Sequence, residues 1–200
     1  AYHMVKIYRE GYGLFAVNGI LFNHESPRRG ENFVTMKIVN GVKDIVKREK
    51  QYISLGNIYS SRDWGHAKDY VYGMWLMLQQ DEPDDYVIAT GEQYSVRDFV
   101  EEAAPLFGFN IEWMGEGLDE IGIDKTTKRT IVAVNEKYFR PAEVESLLGD
   151  ATKAKEKLGW VPKYDLASLV KDMMQSDIKL MQKDQYLKNE HLIQMPKKPK

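Results

Sequence analysis

The densest group of side chains able to bind a ligand follows a run of apolar residues that ends at Leu21. Residues 23–30 have the sequence Asn-His-Glu-Ser-Pro-Arg-Arg-Gly, which combines an amide, an imidazole and two guanidinium groups. Guanidinium groups bind phosphate oxygens in a bidentate geometry. The loop therefore predicts a site for an anionic ligand such as a nucleotide diphosphate. The alternative is a solvated loop whose charges only keep the surface soluble.

A second cluster occupies residues 62–66, with the sequence Arg-Asp-Trp-Gly-His. Arg62 is expected to bind a further phosphate oxygen, while Asp63 and Trp64 hold the turn in shape. An Arg62–Asp63 salt bridge beside a packed tryptophan is the alternative interpretation.

A third arginine lies in the segment 138–143, Tyr-Phe-Arg-Pro-Ala-Glu. Pro141 suits the first turn of a helix, and a helix N-terminus favours anions, so Arg140 is a candidate phosphate ligand. Glu143 could accept a hydrogen bond from a ribose or base hydroxyl. An Arg140–Glu143 pair on one helical face explains the same residues without a ligand.

Tyr2 and Lys6 have the Tyr-x-x-x-Lys spacing that short-chain dehydrogenases use for acid–base chemistry. This spacing arises by chance on any helix, and the residues that precede such a motif are missing. No glycine-rich dinucleotide fingerprint follows a predicted strand either. The pair is therefore not assigned a catalytic role.

Composition excludes several classes of function. The 28 basic and 30 acidic residues give a net charge of -2, so no overall positive field favours nucleic acid. There is no cysteine, which excludes a disulfide scaffold and thiolate catalysis and fits a cytoplasmic location, and the four histidines are too scattered for a metal motif. No apolar run is long enough to cross a membrane, and no signal peptide is expected.

The first half of the chain alternates predicted helices and strands. In chain order these are a helix over residues 1–12, a strand over 14–21 buried on both faces, a helix over 33–46, a strand over 52–55, a helix over 67–80 buried around most of its circumference, and a strand over 86–89. This alternation is typical of an α/β fold with parallel strands.

The second half contains clear helix boundaries. Ser95 and Asp98 form a capping-box pattern that starts a helix ending near Phe107. Asp150 and Asp165 are expected to cap helices over 151–158 and from 166 to about 181, beyond which the chain is expected to fray. Short strands are predicted at 111–113 and 131–134, on either side of a variable excursion.

Five segments closely resemble the GDP-mannose 4,6-dehydratase family of extended short-chain dehydrogenases. They are residues 18–30, 54–57, 62–71, 87–91 and 138–145, and the first contains the run NGILFNHESPRRG. The resemblance extends from residue 1 to about residue 181. Residues 149–162 also resemble the C-terminal segment shared by family members that act on nucleotide sugars.

The resemblance implies that the catalytic Tyr-x-x-x-Lys lies upstream of Ala1, together with the glycine-rich cofactor fingerprint. No catalytic residue is therefore assigned within the chain, and the N-terminal half of the family's Rossmann domain is expected to be absent. The chain by itself is expected to be inactive.

The resemblance further implies dehydration of GDP-mannose to GDP-4-keto-6-deoxymannose by internal hydride transfer through NADP. His24 and Arg29 would contact NADP. The residues implied to hold GDP-mannose are Asn23, Lys37, Arg62, Arg140 and Glu143, with Arg62 and Arg140 clamping the diphosphate. Met36 occupies a position where the family usually has a basic residue, so a donor beside Lys37 is lost.

The expected architecture is α/β, with the C-terminal part of a Rossmann-like parallel sheet and a smaller α/β domain that binds the sugar nucleotide. Residues 1–22 and 57–90 would belong to the first unit, and residues 23–56 and 91–200 to the second. A parallel sheet without its first strands exposes an apolar edge, so low solubility or a homo-oligomer, dimer or tetramer, is expected. Two alternatives remain: another nucleotide-sugar dehydratase or epimerase, and a non-catalytic nucleotide-binding module.

Overall fold

The computed structural model of the protein describes residues 1–139, 142, 144 and 146–194, with the side chains of the last helix described up to residue 183. The α-helices of this part are α1 (Tyr2–Tyr12), α2 (Val34–Val46), α3 (Ala67–Met77), α4 (Val96–Ala103), α5 (Thr152–Leu158) and α6 (Leu166–Gln194). The strands are β1 (Asn18–Leu21), β2 (Asn23–Glu25), β3 (Ile53–Leu55), β4 (Ser61–Arg62), β5 (Trp64–His66), β6 (Asp85–Ile88), β7 (Tyr94–Ser95), β8 (Ile111–Met114), β9 (Ile121–Asp124), β10 (Thr130–Val134) and β11 (Ser146–Leu147).

Parallel pairing dominates the first half of the chain, as predicted. β1 pairs with β6 in parallel, with Asn18 opposite Asp85. β2 pairs in parallel with β5, with Asn23 opposite Trp64. α2 lies between β2 and β5 in the chain, and both α2 and α3 lie between β1 and β6, so helices are part of the crossovers that parallel neighbours need.

The second half forms a mixed sheet in the order β3-β10-β9-β8. β10 is parallel to β3 and antiparallel to β9. The largest hydrophobic core combines this sheet with α2, α4 and α6, and includes Ile38, Val100, Val132 and Met173. A smaller three-stranded sheet, β11-β4-β7, places the Arg62 segment between two strands from later in the chain.

A second core lies where α3, β6 and α5 meet. Tyr70, Ile88 and Leu158 are buried there around Trp160. The Trp160 indole Nε1 donates a hydrogen bond of 2.8 Å to the backbone oxygen of Asp69, so the ring has a polar anchor as well as apolar contacts.

The predicted helix boundaries are largely confirmed. Ser95 and Asp98 form a capping box at the start of α4. Gly159 ends α5 in the left-handed conformation at φ 64°, which costs glycine little. Asp150 accepts a 2.9 Å hydrogen bond from the backbone of Thr152, and Asp165 accepts one of 2.8 Å from Ser168. Local sequence patterns therefore set these ends.

The predicted strand over residues 14–21 is wrong in length and burial. Only Asn18–Leu21 forms a strand, and Leu14, Phe15 and Ile20 are 50%, 45% and 44% exposed. In the described part of the chain β1 pairs only with β6, so its other edge has no neighbour. Apolar composition alone predicted burial that the pairing does not provide.

The prediction that α3 is buried around most of its circumference is also wrong. The helix ends at Met77 rather than at residue 80, and Val71 and Trp75 are 62% and 53% exposed. Only the side with Tyr70 and Gly73 packs against the second core. An all-round apolar pattern does not show which faces have a neighbour.

Some elements were not predicted. β2, β4, β5, β7, β9 and β11 are too short to show a two-residue periodicity, and β9 lies inside the excursion after β8. α6 continues to Gln194, beyond the predicted end near Met181. None of the described helices combines the length and apolar character that a membrane span requires.

Candidate functional site

A cavity of about 330 Å³ opens between β2, α2 and the segment around β4 and β5. It is lined by Asn23, Glu25, Asn32, Phe33, Val34, Thr35, Lys37, Leu55, Gly56, Asn57, Ser60, Arg62, Trp64, Val96 and Tyr138. Three of the predicted substrate residues, Asn23, Lys37 and Arg62, therefore share one cavity. They come from three different secondary-structure elements.

Strand pairing explains why Asn23 and Arg62 meet. β2 and β5 are parallel, and Asn23 pairs with Trp64, two residues after Arg62. The Arg62 Nη1 group donates a 2.8 Å hydrogen bond to the Ser61 backbone oxygen. Lys37 enters from the first turn of α2, whose N-terminal residues form the adjoining wall.

The Lys37 ammonium group is held against an aromatic ring. Its Nζ lies 3.4 Å from the ring centroid of Tyr138, a cation–π contact. Burial lowers the pKa of Lys37, and the positive charge of Lys50 lowers it further. An anionic ligand in the cavity would restore the stabilisation that the charged form loses through burial.

The backbone of Tyr138 approaches Gly56 very closely. A Cβ atom at Gly56 would lie 2.4 Å from the Tyr138 backbone oxygen, so only glycine fits without a backbone shift. Gly56 therefore fixes the position of the ring that contacts Lys37.

Glu25, a buried carboxylate, supports the floor of the cavity. It accepts a 2.5 Å hydrogen bond from Thr35 Oγ1, and its Oε2 lies 3.1 Å from Arg29 Nε. Burial raises the pKa of Glu25, while the hydrogen bond from Thr35 and the charge of Arg29 oppose that rise. The Arg29 guanidinium carbon also lies 3.5 Å from the Phe33 ring centroid, so its plane is held at the edge of the cavity.

The His24 imidazole is fixed from one side. Its Nδ1 lies 2.8 Å from the Phe22 backbone oxygen, so this nitrogen carries the proton and donates. The ring centroid is 5.1 Å from that of Tyr70. His24 and Arg29 are not among the residues that line the 330 Å³ cavity, so the predicted cofactor residues lie beside it rather than in it.

A family model described as GDP-mannose 4,6 dehydratase matches residues 1–173. The chain belongs to the GDP-mannose 4,6-dehydratase family. The resemblance predicted from the sequence motifs is thereby confirmed.

Curated members of the family are similar over most of this chain. It is 56% identical over 177 residues to GDP-mannose 4,6 dehydratase of Drosophila melanogaster, covering 88% of this chain and 45% of that protein. It is 55% identical over 181 residues to the Homo sapiens protein of the same name, covering 90% and 49%. The chain thus spans about half the length of the curated family members it matches.

Solved structures confirm the predicted fold class. UDP-glucuronic acid 4-epimerase from Bacillus cereus, in complex with UDP-glucuronic acid and NAD, superposes with a TM-score of 0.69 at 16% identity, covering 90% of this chain and 50% of that one. RMD from Pseudomonas aeruginosa, complexed with NADPH, gives a TM-score of 0.68 at 14% identity, covering 86% and 51%. At these identities the likeness concerns the Rossmann-like α/β fold that the family shares with them.

Two residues implied by the family resemblance, Arg140 and Glu143, lie outside the described residues, as does the helix start predicted at Pro141. The convergence of Arg62 and Arg140 on one diphosphate therefore stays a prediction.

Met36, Tyr2 and Lys6 all lie outside the cavity lining. Met36 is buried in the large core and does not line the cavity. Tyr2 and Lys6 lie on α1, where Lys6 Nζ is 3.7 Å from Glu10 Oε1. Neither lines the 330 Å³ cavity, and their lack of a catalytic role stays a prediction.

Asp63 organises the turn beside the site, as predicted. It is fully buried and accepts hydrogen bonds from the backbone of Thr90 (2.8 Å), Gly91 (2.9 Å) and Gly149 (3.3 Å), and from Thr90 Oγ1 (2.7 Å). Trp64 packs edge-on against Phe99 at 5.5 Å. One carboxylate thus ties β5 to the loops after β6 and β11.

Sequence reasoning missed several residues that line the cavity. Among them are Asn32, Asn57, Ser60 and Tyr138. Asn57 and Tyr138 lie within segments quoted for the family resemblance, yet nothing about their types distinguished them as ligand contacts. Ser60 is a small polar residue in a loop, and no spacing rule assigns such a residue to a site.

Proposed function

We propose that this chain forms the substrate-binding part of an NADP-dependent GDP-mannose 4,6-dehydratase, which converts GDP-mannose to GDP-4-keto-6-deoxymannose. The observation that carries the proposal is the single cavity shared by Asn23, Lys37 and Arg62 in a chain of this family. Two cations and an amide suit a diphosphate joined to a polar sugar.

Each residue then has a defined role. Arg62, together with Arg140, holds the diphosphate, and each charge-assisted hydrogen bond would contribute about 1.5–3 kcal/mol. Lys37 adds a point charge, Asn23 bonds to ligand oxygens, and Glu143 accepts from a hydroxyl. The described residues bind and orient the substrate, and acid–base catalysis is left to residues that the resemblance puts before Ala1.

His24 and Arg29 are proposed to hold NADP, which would supply the transfer of hydride from C4 of the mannose to C6 that accompanies loss of water. The residues fit this role. Arg29 Nε is buried and makes no hydrogen bond to any described residue, although it lies 3.1 Å from Glu25 Oε2. His24 donates through Nδ1, which leaves Nε2 to accept a hydrogen bond from a ligand amide or hydroxyl.

Two further proposals concern organisation. The two hydrophobic cores broadly support a division into a cofactor unit, residues 1–22 and 57–90, and a substrate unit, residues 23–56 and 91–200. The exceptions are Ile58 and Trp64, which pack with the second unit, and Ala154, Leu158 and Trp160, which pack with the first. Exposed apolar faces on α1 and α3 support a homo-oligomer in which these faces are covered. A cytoplasmic location fits the absence of cysteine.

The proposal is tested on the full-length protein of which this sequence is a part, incubated with NADP. Conversion of GDP-mannose to the 4-keto-6-deoxy product, followed by mass spectrometry, is the expected result. A rise in melting temperature with a UDP-sugar and none with GDP-mannose would contradict the assignment of GDP-mannose as the substrate.

The second candidate is a UDP-sugar epimerase, a class whose Bacillus cereus UDP-glucuronic acid 4-epimerase shares the fold of this chain. It predicts a product of unchanged mass and inverted C4. The non-catalytic alternative predicts nucleotide binding with no product at all.

A further inference from the structure

The hydroxyl group of Ser60 is buried, and no hydrogen bond within the described part of the chain accounts for it. The residue is 3% exposed and lines the 330 Å³ cavity with Asn23 and Arg62. Its Oγ has no hydrogen-bond partner among the described residues. Buried hydroxyls in folded proteins are nearly always hydrogen-bonded, so an unpaired one beside a ligand cavity calls for a partner that arrives with the ligand.

Chain geometry places this hydroxyl on the same side as Arg62. Residues 61 and 62 form β4, and alternate residues of an extended chain share a face. Ser60 and Arg62 both line the cavity, whereas Ser61, between them, does not. The Ser61 Oγ instead donates to the Tyr59 backbone oxygen at 3.4 Å.

The backbone around Ser60 is anchored to the start of α4. Its own oxygen accepts a 3.2 Å hydrogen bond from the backbone of Val96, and the oxygen of Ile58 accepts one of 2.9 Å from Arg97. The backbone of Ser60 is therefore held in place, and rotation about the side-chain bonds is enough to bring the hydroxyl to a bound ligand.

We propose that Ser60 Oγ donates a hydrogen bond to a diphosphate oxygen of the bound sugar nucleotide, next to the Arg62 guanidinium group. The assignment rests on the proposed function for the identity of the sugar and base, but needs only the diphosphate that GDP- and UDP-sugars share. It is a binding contact: the hydroxyl keeps its proton, and no covalent bond changes. The unpaired hydroxyl of the free protein becomes satisfied when the ligand enters.

The test compares Ser60→Ala with Ser61→Ala in the full-length protein. Dissociation constants for GDP-mannose, GDP and UDP-glucose are measured by calorimetry in the presence of NADP, and thermal unfolding is measured without nucleotide sugar. Loss of one hydrogen bond to a charged oxygen is expected to raise the dissociation constants for GDP-mannose and GDP about tenfold in S60A. In S61A the same constants should stay within about twofold of the wild-type values.

Thermal unfolding separates a binding role from a structural one. Because S60A removes an unpaired buried hydroxyl, its unliganded melting temperature should equal or exceed that of the wild type. Unchanged affinity in S60A would overturn the proposal and indicate that the hydroxyl is satisfied by water. A lower melting temperature in S60A would overturn it in favour of a structural hydrogen bond.

UDP-glucose distinguishes this inference from the proposed function. If the wild type binds UDP-glucose but not GDP-mannose, and S60A weakens that binding about tenfold, the substrate proposal fails while Ser60 keeps its role. Failure of the wild type to bind any of the three ligands would overturn both.

Discussion

Arg9 and Asp85 form a two-pronged ion pair that joins α1 to β6. Arg9 Nη1 lies 2.7 Å from Asp85 Oδ1, and Nη2 lies 3.0 Å from Oδ2. Asp85 also accepts from Asn18, through its backbone nitrogen at 3.0 Å and its side-chain amide at 2.9 Å. The carboxylate thus links the first helix, the first strand and a strand far along the chain. The hydrogen bonds from Arg9, followed by those from Asn18, hold the pKa of Asp85 well below its ordinary value.

Asp85→Asn is expected to lower the free energy of unfolding at pH 7 by about 1–2 kcal/mol, since a charge-assisted pair is replaced by weaker, partly screened hydrogen bonds. Because the folded-state pKa is depressed, this stabilisation is complete above the unfolded pKa of about 3.9 and is lost as the pH falls through the folded value. Urea unfolding between pH 7 and pH 3 should show that the difference in unfolding free energy between wild type and Asp85→Asn begins to shrink below about pH 4. The control is Asp81→Asn, an exposed carboxylate that should change little.

Arg62→Lys should weaken GDP-mannose binding by at least about tenfold, because lysine cannot supply the planar pair of donors that a phosphate accepts. Calorimetry on the full-length protein measures the effect. Arg129→Lys makes the same chemical change at an exposed residue that does not line the cavity. Equal affinity of the two variants for GDP-mannose would show that Arg62 does not contact the ligand.

Lys37→Gln should weaken GDP-mannose binding by about tenfold at pH 7 through loss of one charged contact. Since burial lowers the pKa of Lys37, the wild type should lose this advantage as the pH rises, before it reaches the ordinary lysine value of about 10.4. The ratio of the two dissociation constants, measured from pH 7 upward, should fall towards one.

Lys50→Gln provides the matched control for that pH profile. The charge of Lys50 contributes to the lowered pKa of Lys37, so its removal should shift the loss of affinity to higher pH. An identical profile in wild type and Lys50→Gln would show that the titrating group is not Lys37.

Asp63→Asn should destabilise the protein by about 3 kcal/mol, because an amide cannot accept all the hydrogen bonds that the buried carboxylate receives from Thr90, Gly91 and Gly149. Thr90→Val, which deletes the 2.7 Å hydrogen bond from Thr90 Oγ1 to Asp63 and keeps the backbone donor, should cost about 1 kcal/mol. Urea unfolding measures both, and exposed Asp119→Asn should be nearly neutral. A neutral Asp63→Asn would contradict the structural role of this carboxylate.

Gly56→Ala should destabilise the protein by about 2 kcal/mol and weaken ligand binding as well, because the new Cβ would force the Tyr138 backbone away from its contact. The shift would also release Lys37 from the Tyr138 ring. Gly11→Ala, in open space on α1, should instead be neutral or stabilising by up to about 1 kcal/mol. Thermal unfolding and calorimetry of both variants measure the difference.

The features that sequence reasoning predicted well depend on neighbouring residues. The Ser95–Asp98 capping box, the glycine stop at Gly159 and the cap at Asp165 each need contacts only a few residues away, and the structure contains all three. Burial was predicted poorly for α3 and for residues 14–21, because an apolar pattern reports what a face can bury and not whether a neighbour covers it.

The sequence by itself determined the family, the parallel α/β class and three of the residues that line the cavity, Asn23, Lys37 and Arg62. Only the tertiary structure showed that these three share one cavity, that Tyr138 holds Lys37, and that Ser60 Oγ is buried with no partner in the described part of the chain. The physical reason is the range of the interactions. Helix caps and motifs depend on residues close in the chain, whereas a cavity depends on long-range strand pairing, such as that of β2 with β5, which no local pattern specifies.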